Sequence, residues 1–309
     1  MRWPVEFVFW LASAVPRSWL FACGRATGVL LHRLVRFRRG AIERHLRLAF
    51  PELNMRERGK LLREVYAHFG LLLAELLRLP RQTSRQLLDN SVIEGREHLT
   101  AALARGRGVL VLAGHLGNWE VGLATAAAAG LPVAAVTKEI KSGIGQYIAD
   151  RLRKPHGVVA INRRQAIRPI LSFLRKGGCV GFVLDQNMTA DEGVFVDFFG
   201  RPACTMPGLA VLARRYRVPV VPVAFFRDDR GRHHLRFASE VEWEDETRLG
   251  KADDDAAEKG ATEAAVWRNT QRYTAILEVA IREHPAQWLW MHRRWKTRPP
   301  EETGEAAVQ

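Results

Sequence analysis

Cysteine is scarce: three residues in 309, at Cys23, Cys179 and Cys204. An odd number with no CxxC spacing argues against a disulfide framework and against a structural zinc site. The plain reading is free thiols in a reducing compartment, with Cys179 in the core at the head of an apolar run. No HExxH spacing occurs, so a zinc hydrolase is disfavoured and no metal is expected. Internal repeats and low-complexity tracts are absent too. Acidic residues are outnumbered, 33 Asp and Glu against 47 Lys and Arg, for a net charge of +14. That excess attracts phosphate, whether on nucleic acid, on anionic lipid headgroups or on an acidic carrier. No recognisable nucleic-acid motif accompanies it, so a nucleic-acid partner is not expected. With 47% apolar and 26% charged residues, a chain of this length buries a sizeable core.

What the amino-terminal end has is an apolar stretch over residues 4–35, broken by Glu6, Pro16, Arg17 and Arg25. Neither half reaches the run of about 20 apolar residues that a clean spanning helix needs. A signal peptide fits poorly, because no basic start or small-residue cleavage site is evident. The arginines that follow (Arg33, Arg36, Arg38, Arg39, Arg44, Arg47) form a flank that stays cytoplasmic by the positive-inside rule, and Trp3, Trp10 and Trp19 suit an interfacial belt. Residues 1–36 are therefore read as a membrane anchor, spanning with distortion or lying in the interface. The alternative is an apolar helix packed on the domain's own core.

Residues 40–79 have helical spacing, with Pro51 between two helices and Asn54 as the N-cap of the second. Residues 81–106 read as a polar helical connector. Strands then alternate with helices. Runs at 108–114, 131–137, 157–161, 179–185 and 218–226 are short and apolar, as buried parallel strands are. Residues 194–200 alternate and suggest an edge strand, and 233–243 suggest an exposed antiparallel one. Residues 244–262 read as a loop, 263–284 as the last long helix, and 299–309 as a disordered tail. The expected fold is α/β, a mostly parallel central sheet covered by helices, with one domain over 37–298 after the hydrophobic membrane-associating segment.

The chemistry concentrates in Gly114-His115-Leu116-Gly117-Asn118-Trp119-Glu120, after a buried strand and before a helix. Catalytic groups of open α/β sheets gather at the carboxyl ends of strands, so His115 sits at the mouth of a crevice. Gly114 and Gly117 permit a tight turn and close approach of another molecule. Asn118 caps the helix and, at the same mouth, is also a candidate substrate-binding residue. Glu120 in the first helical turn is expected to fold back on the His115 ring. A carboxylate there fixes the tautomer and leaves the other nitrogen free to take a proton from a hydroxyl. This is the base and orienter of a serine-type triad without the serine. No GxSxG elbow and no nearby cysteine nucleophile is present, so the substrate hydroxyl is the expected nucleophile, attacking an activated acyl ester.

That segment resembles the HxxxxD/E signature of the lysophospholipid acyltransferase superfamily. More narrowly, it resembles the bacterial lipid A biosynthesis acyltransferases, the lauroyl and myristoyl transferases. The stretch LRLAFPELNMRERGKLL resembles their helical FPE stretch, with His45 where asparagine is expected. LDQN resembles their strand-end DQ motif, FFGRPACTMPGLAVLARR their FFG block, and PAQWLWMHRRWK their Trp-rich signature. The resemblance runs from about residue 5 to 298. It implies an acyl carrier protein as donor, no metal or other cofactor, and an acceptor hydroxyl on an acyl chain of a lipid A precursor. It also implies His115 as base, Glu120 as its partner, and a place at the cell inner membrane with the catalytic domain on the cytoplasmic side. DQN stands where the glycerophosphate-acylating relatives carry an EGT-like block, which favours the lipid A branch. Acylation of another glycolipid or a lysophospholipid, such as a phosphatidylinositol mannoside, remains the alternative, and a non-catalytic basic membrane-binding protein a third.

Further substrate-binding candidates follow. Arg151, Arg163 and Arg164 suit a lipid or phosphopantetheine phosphate, with Lys138 similar; the alternative for each is a solvated basic face. Asp185 and Gln186 end an apolar strand and point into the same crevice. Trp288, Trp290, His292 and Trp295 are either a wall near the acyl groove or aromatic packing over the sheet. Thr205 and Gly208 are left undecided, and His233 and His234 are assigned nothing.

Overall fold

Short, β-branched and small-residue runs become strands where both faces are covered. In the computed structural model, which describes residues 2–244 and 255–303, the strands are β1 (Ser91–Glu94), β2 (Val109–Ala113), β3 (Val133–Thr137), β4 (Val159–Asn162), β5 (Cys179–Val183), β6 (Val194–Asp197), β7 (Pro202–Thr205), β8 (Val220–Arg227) and β9 (His233–Phe237). The main sheet has seven strands in the order β1-β9-β8-β2-β5-β3-β4. The five strands foreseen as buried runs are mutually parallel, but β4 is not buried: it closes one edge of the sheet and only Ile161 of its four residues is buried. β9 runs antiparallel to β8, and β1 pairs parallel with β9.

Two further expectations need correction here. Residues 194–197 do not form an edge of the main sheet; they pair with β7 as a separate antiparallel hairpin. β9 is antiparallel as expected but not exposed, because β1, hidden in the polar 81–106 segment, covers its outer edge. His233 is consequently buried.

Helices cover both faces. They are α1 (Trp3–Ala14), α2 (Arg17–Leu30, prolonged by a π turn at Leu31–Val35), α3 (Arg39–Ala49), α4 (Met55–Arg78), α5 (Ser84–Asp89), α6 (Arg96–Leu103), α7 (Trp119–Ala128), α8 (Gly143–Arg153), α9 (Ile167–Arg175), α10 (Gly208–Tyr216), α11 (Asp255–Glu283) and the short α12 (Pro300–Thr303). The period of two along β2 sorts the core into layers: Leu110 and Leu112 pack with α9, α10 and α11, whereas Val109, Val111 and Ala113 pack with α6 and α7. A third cluster joins α3 and α4 to the Trp288, Trp290 and Trp295 segment, with edge-on and tilted rings of Phe50, Phe198 and Phe199. α4 begins at the expected Asn54, whose side chain accepts from the Arg56 and Glu57 amides while Glu57 reaches back, a complete capping box. The loop expected over 244–262 gives way to α11 from Asp255, and residues 245–254 and 304–309 lie outside the described residues.

The amino-terminal helices dock on the domain. Gly24 and Gly28 of α2 meet Gly70 of α4 so closely that a Cβ on Gly70 would come 2.1 Å from the Gly24 carbonyl oxygen. Backbones approach this closely only through small residues. α1 is tied down by Glu6, which accepts from Tyr147 Oη at 2.8 Å and from Arg151 Nε at 2.6 Å. Among the described residues no single helix is long and apolar enough to cross a membrane; α1 and α2 together satisfy length and composition but are bent by 120°. Their outward faces keep Trp3, Trp10, Trp19 and Leu34 exposed.

Candidate active site

β2 and β5 are adjacent and parallel, with Ala113 opposite Val183. Two residues beyond that register, at the carboxyl ends of both strands, stand His115 and Asp185. Asp185 Oδ1 accepts from His115 Nδ1 at 2.8 Å, while Oδ2 accepts from the His115 amide at 2.6 Å and from Trp288 Nε1 at 2.7 Å. Burial by itself would raise the Asp185 carboxyl. The attraction of the carboxylate to a protonated His115 ring, together with these three hydrogen bonds, more than reverses that and holds it at about 2, so it is ionised at neutral pH. An ionised acceptor at Nδ1 puts that ring proton on Nδ1 and leaves the Nε2 lone pair facing outward, where the Gln186 side-chain amide donates to it at 3.2 Å. The Trp119 ring packs edge-on against the imidazole at 4.6 Å.

The turn that carries His115 is clamped by the carboxyl-terminal segment. Leu289 N donates to the His115 carbonyl, the Gly117 amide donates to the Gln287 carbonyl, and Leu116 bridges Trp288. Gly117 has φ +59°, and a Cβ there would come 2.5 Å from the Phe225 carbonyl oxygen, so only glycine fits.

This geometry corrects the partner expected for His115. Because the chain turns through Gly117 before α7 starts at Trp119, Glu120 is carried to the face toward α8, and Trp119 occupies the side next to the imidazole. Glu120 is buried and grips Arg153 with both oxygens, Nε at 2.9 Å and the second contact to a terminal guanidinium nitrogen. The carboxylate that reaches the ring is that of Asp185, 70 residues from His115 in sequence.

Around this pair opens a cleft of about 1010 Å³, mouth included, walled by His115, Gln186 and Trp119 and by three cations, Lys138, Arg153 and Arg163. Beneath α7 it adjoins a second, almost wholly apolar space of about 580 Å³, which it meets at Trp119, Leu123, Ala135 and Val183 and which Leu99, Phe225 and Phe237 close.

The remaining candidates divide. Gln186 and Arg163 face the cleft, Arg163 also meeting Glu192 at 3.2 Å. Asp185 is fully buried and holds His115 instead of presenting itself to a ligand. Asn118 is no cleft residue: its Oδ1 caps the Val121 amide and its Nδ2 donates to buried Glu75 at 2.9 Å. Arg151 is engaged by Glu6, and Arg164 is exposed outside the cleft wall. Trp290 and Trp295 are core residues, whereas Trp288 orients Asp185. His292, pushed down to about 4 by burial, is neutral and accepts from the Asn187 amide at 3.0 Å. Sequence reasoning missed Arg153, two residues beyond Arg151 on α8, and Arg294. The latter is fully buried, donates to the Gln186 and Cys204 carbonyls and to the Thr205 hydroxyl, and fixes the strand end that bears Asp185. Burial lowers its guanidinium only to about 10, so it stays charged. No group of three or more residues suited to hold a metal ion occurs among the described residues.

An imidazole backed by a buried carboxylate, beside a cationic cleft and an apolar recess, defines a group-transfer enzyme for an amphipathic substrate. The family model for bacterial lipid A biosynthesis acyltransferases matches residues 1–297, and the chain belongs to that family and is an acyltransferase. It is 28% identical to the lipid A biosynthesis palmitoleoyltransferase of Escherichia coli K12 over 308 residues, covering 97% of this chain and 92% of the relative. It is 26% identical to the lauroyltransferase of the same organism, with 97% and 92% covered, and 24% identical to its myristoyltransferase, with 97% and 90% covered.

Proposed function

We propose that the chain transfers a fatty acyl group from acyl carrier protein to a hydroxyl of a lipid A precursor, with His115 Nε2 as general base. The observation that carries this reading is the His115–Asp185 pair, whose outward nitrogen, met by Gln186, faces a cleft that shares its wall with an apolar recess. The acyl chain of the donor lies in the recess, and the thioester carbonyl sits beside His115. Nε2 takes the proton of the acceptor hydroxyl as its oxygen attacks the carbonyl carbon. The tetrahedral intermediate then collapses, the carbon–sulfur bond breaks, and the imidazolium returns the proton to the departing thiolate. Asp185 stabilises the imidazolium between these steps and does not itself take the proton. Arg153, held by Glu120, and Lys138 and Arg163 suit phosphate, on the phosphorylated acceptor or on the carrier's phosphopantetheine arm.

The site works at the cytoplasmic face of the inner membrane in this reading. Support comes from the exposed Trp3, Trp10 and Trp19 on α1 and α2, together with the exposed arginines at 25, 33, 36 and 38. The decisive experiment incubates membranes containing the protein with acyl carrier protein bearing different acyl chains and a tetra-acylated lipid A precursor, and follows product mass. A gain of one acyl group that disappears in His115→Ala is expected. Transfer to a lysophospholipid or mannolipid alone replaces the acceptor, and no transfer to any acceptor overturns the proposal.

A further inference from the structure

A second polar cavity lies away from the catalytic cleft and shares no wall with it. Arg17 and Phe21 of α2, Arg78 of α4, Gln82, Gln86 of α5, Asn90 and His233 of β9 enclose about 530 Å³, mouth included. Glu75 lines it too, but that carboxylate is already taken by Arg227, through Nε and one terminal nitrogen at 2.8 Å each. The cavity therefore carries net positive charge: neither Arg17 nor Arg78 forms an ion pair among the described residues. Arg17 donates only to neutral acceptors, Asn90 Oδ1 and the Gly231 carbonyl, and Arg78 to the Val15 carbonyl at 3.1 Å.

The group that points to a ligand is His233. It is 6% exposed; its Nε2 lies 3.2 Å from Glu75, and its Nδ1, buried in the cavity wall, has no hydrogen-bond partner. Buried polar nitrogens are left unpaired only rarely, and each one costs stability. Half-buried guanidinium without a counter-charge is unfavourable for the same reason. Arg17 is also the first residue of a 14-residue helix, whose positive end lies beside the same space, with Leu20 and Phe21 of its first turns in the wall. A tetrahedral oxyanion answers these together: it accepts from guanidinium N–H groups and side-chain amides, and it offers Nδ1 a partner whenever that nitrogen carries a proton.

We propose that this cavity binds a phosphate group, independently of the acyl-transfer reading. The source is either free phosphate or the headgroup of an anionic phospholipid, whose chains would lie along the apolar faces next to Trp19, which is 70% exposed.

The test uses the full chain in detergent, with thermal midpoint and calorimetric titration as readouts. Inorganic phosphate is added at constant ionic strength against chloride, and in parallel bicelles of phosphatidylglycerol are compared with bicelles of phosphatidylcholine. The variant Gln82→Glu/Gln86→Glu places two carboxylates in the wall, and a glutamate at 86 still accepts the Thr83 amide that Gln86 caps. Saturable stabilisation of the wild type, weakened at least tenfold in this variant and retained in Arg163→Gln at the catalytic cleft, is the expected result. A response to inorganic phosphate assigns free phosphate, and a response confined to phosphatidylglycerol assigns a headgroup. Stabilisation unchanged in the double variant, or no response to either probe, overturns the proposal; Arg78→Lys, which keeps charge and fold, should bind within a few-fold of wild type in the supporting case.

Discussion

Asp185→Asn separates the observed partner of His115 from the one its sequence neighbourhood suggests. In the native site three donors converge on two acceptor oxygens: His115 Nδ1 on Oδ1, and the His115 amide and Trp288 Nε1 on Oδ2. Asparagine keeps the shape but offers one oxygen and one amide nitrogen. If the oxygen keeps Trp288 and the His115 amide, the new N–H group faces Nδ1, and the ring proton must move to Nε2. The nitrogen facing the cleft is then no longer a base, and the charge that would stabilise the imidazolium is gone. By analogy with the wrong-tautomer variant of a serine-protease triad, kcat should fall roughly 10³–10⁴-fold, about 4–5.5 kcal/mol in barrier. KM should change little, because Asp185 does not line the cleft. Glu120→Gln should show the opposite profile, a raised KM through a loosened Arg153 and kcat within about tenfold. Acyl transfer from labelled acyl carrier protein gives both constants, and circular dichroism checks that each variant is folded. An Asp185→Asn enzyme within tenfold of wild type, with Glu120→Gln at background, would refute the assignment of the orienting role.

Further expectations follow from the same geometry. His115→Ala should lower turnover by roughly two to four orders of magnitude with the lipid still bound, read by transfer and by co-sedimentation. Gly181→Val should fill part of the apolar recess, since a Cβ at Gly181 would meet its nearest neighbour, the Ala134 oxygen, at an ordinary 3.6 Å. Each methylene displaced loses about 0.8 kcal/mol, so a two-carbon shift toward shorter donors should change a competition between acyl chains roughly tenfold; an unchanged chain profile would move the acyl chain elsewhere. Trp288→Phe keeps the aromatic packing but removes one donor to the buried carboxylate, and should cost about 1.5–3 kcal/mol of stability in denaturant titration. His68 and His292 are pushed down by burial, to about 3 and about 4 from 6.5, so the unfolded chain binds their protons first. Their contribution is therefore full above pH 6.5 and is lost on acidification toward the folded values, about 2 kcal/mol for each at pH 5. A thermal midpoint that held constant from pH 7 to pH 5 would show that these rings are not buried neutral.

Much of this fold was legible because periodicity reports burial. The five parallel strands are the five uninterrupted apolar runs, and the Asn54 capping box is spelled out by Asn54 and Glu57. β1 was not legible: Ser91–Glu94 is polar at both ends and half-buried throughout, and only pairing with β9 makes it a strand. The same limit applies to the site. Its location at His115 followed from a glycine-flanked histidine at a strand end. Asp185 and Gln186 were placed in the same crevice for the same reason. What sequence could not supply is register. That Ala113 stands opposite Val183 is a property of the β2–β5 pairing, and it alone decides which of two nearby carboxylates reaches the ring. Spacing along one segment favoured Glu120, but a left-handed glycine intervenes and turns that side chain away. Arg153 was invisible for a related reason, since nothing in its own neighbourhood marks it apart from Arg151, which a glutamate 145 residues away in α1 has claimed.

The two carboxylates thus divide the work that the motif's spacing seems to join. Asp185 is sealed in the core, and it attracts Arg294, buried at the same strand end and cationic despite burial, across a distance, with no direct ion pair between them among the described residues. Desolvating such a pair opposes folding, and an apolar replacement of both would often be no less stable. Its retention makes sense if the ring of His115 must gain and lose a proton without moving, because a fixed countercharge stabilises the imidazolium with no reorganisation at the moment of transfer. Glu120, by contrast, spends its charge on a guanidinium that fronts the cleft, which in the proposed function would restrict where a phosphate sits relative to Nε2. One pair then governs the barrier and the other the position of the substrate, which is why their substitutions should part along kcat and KM.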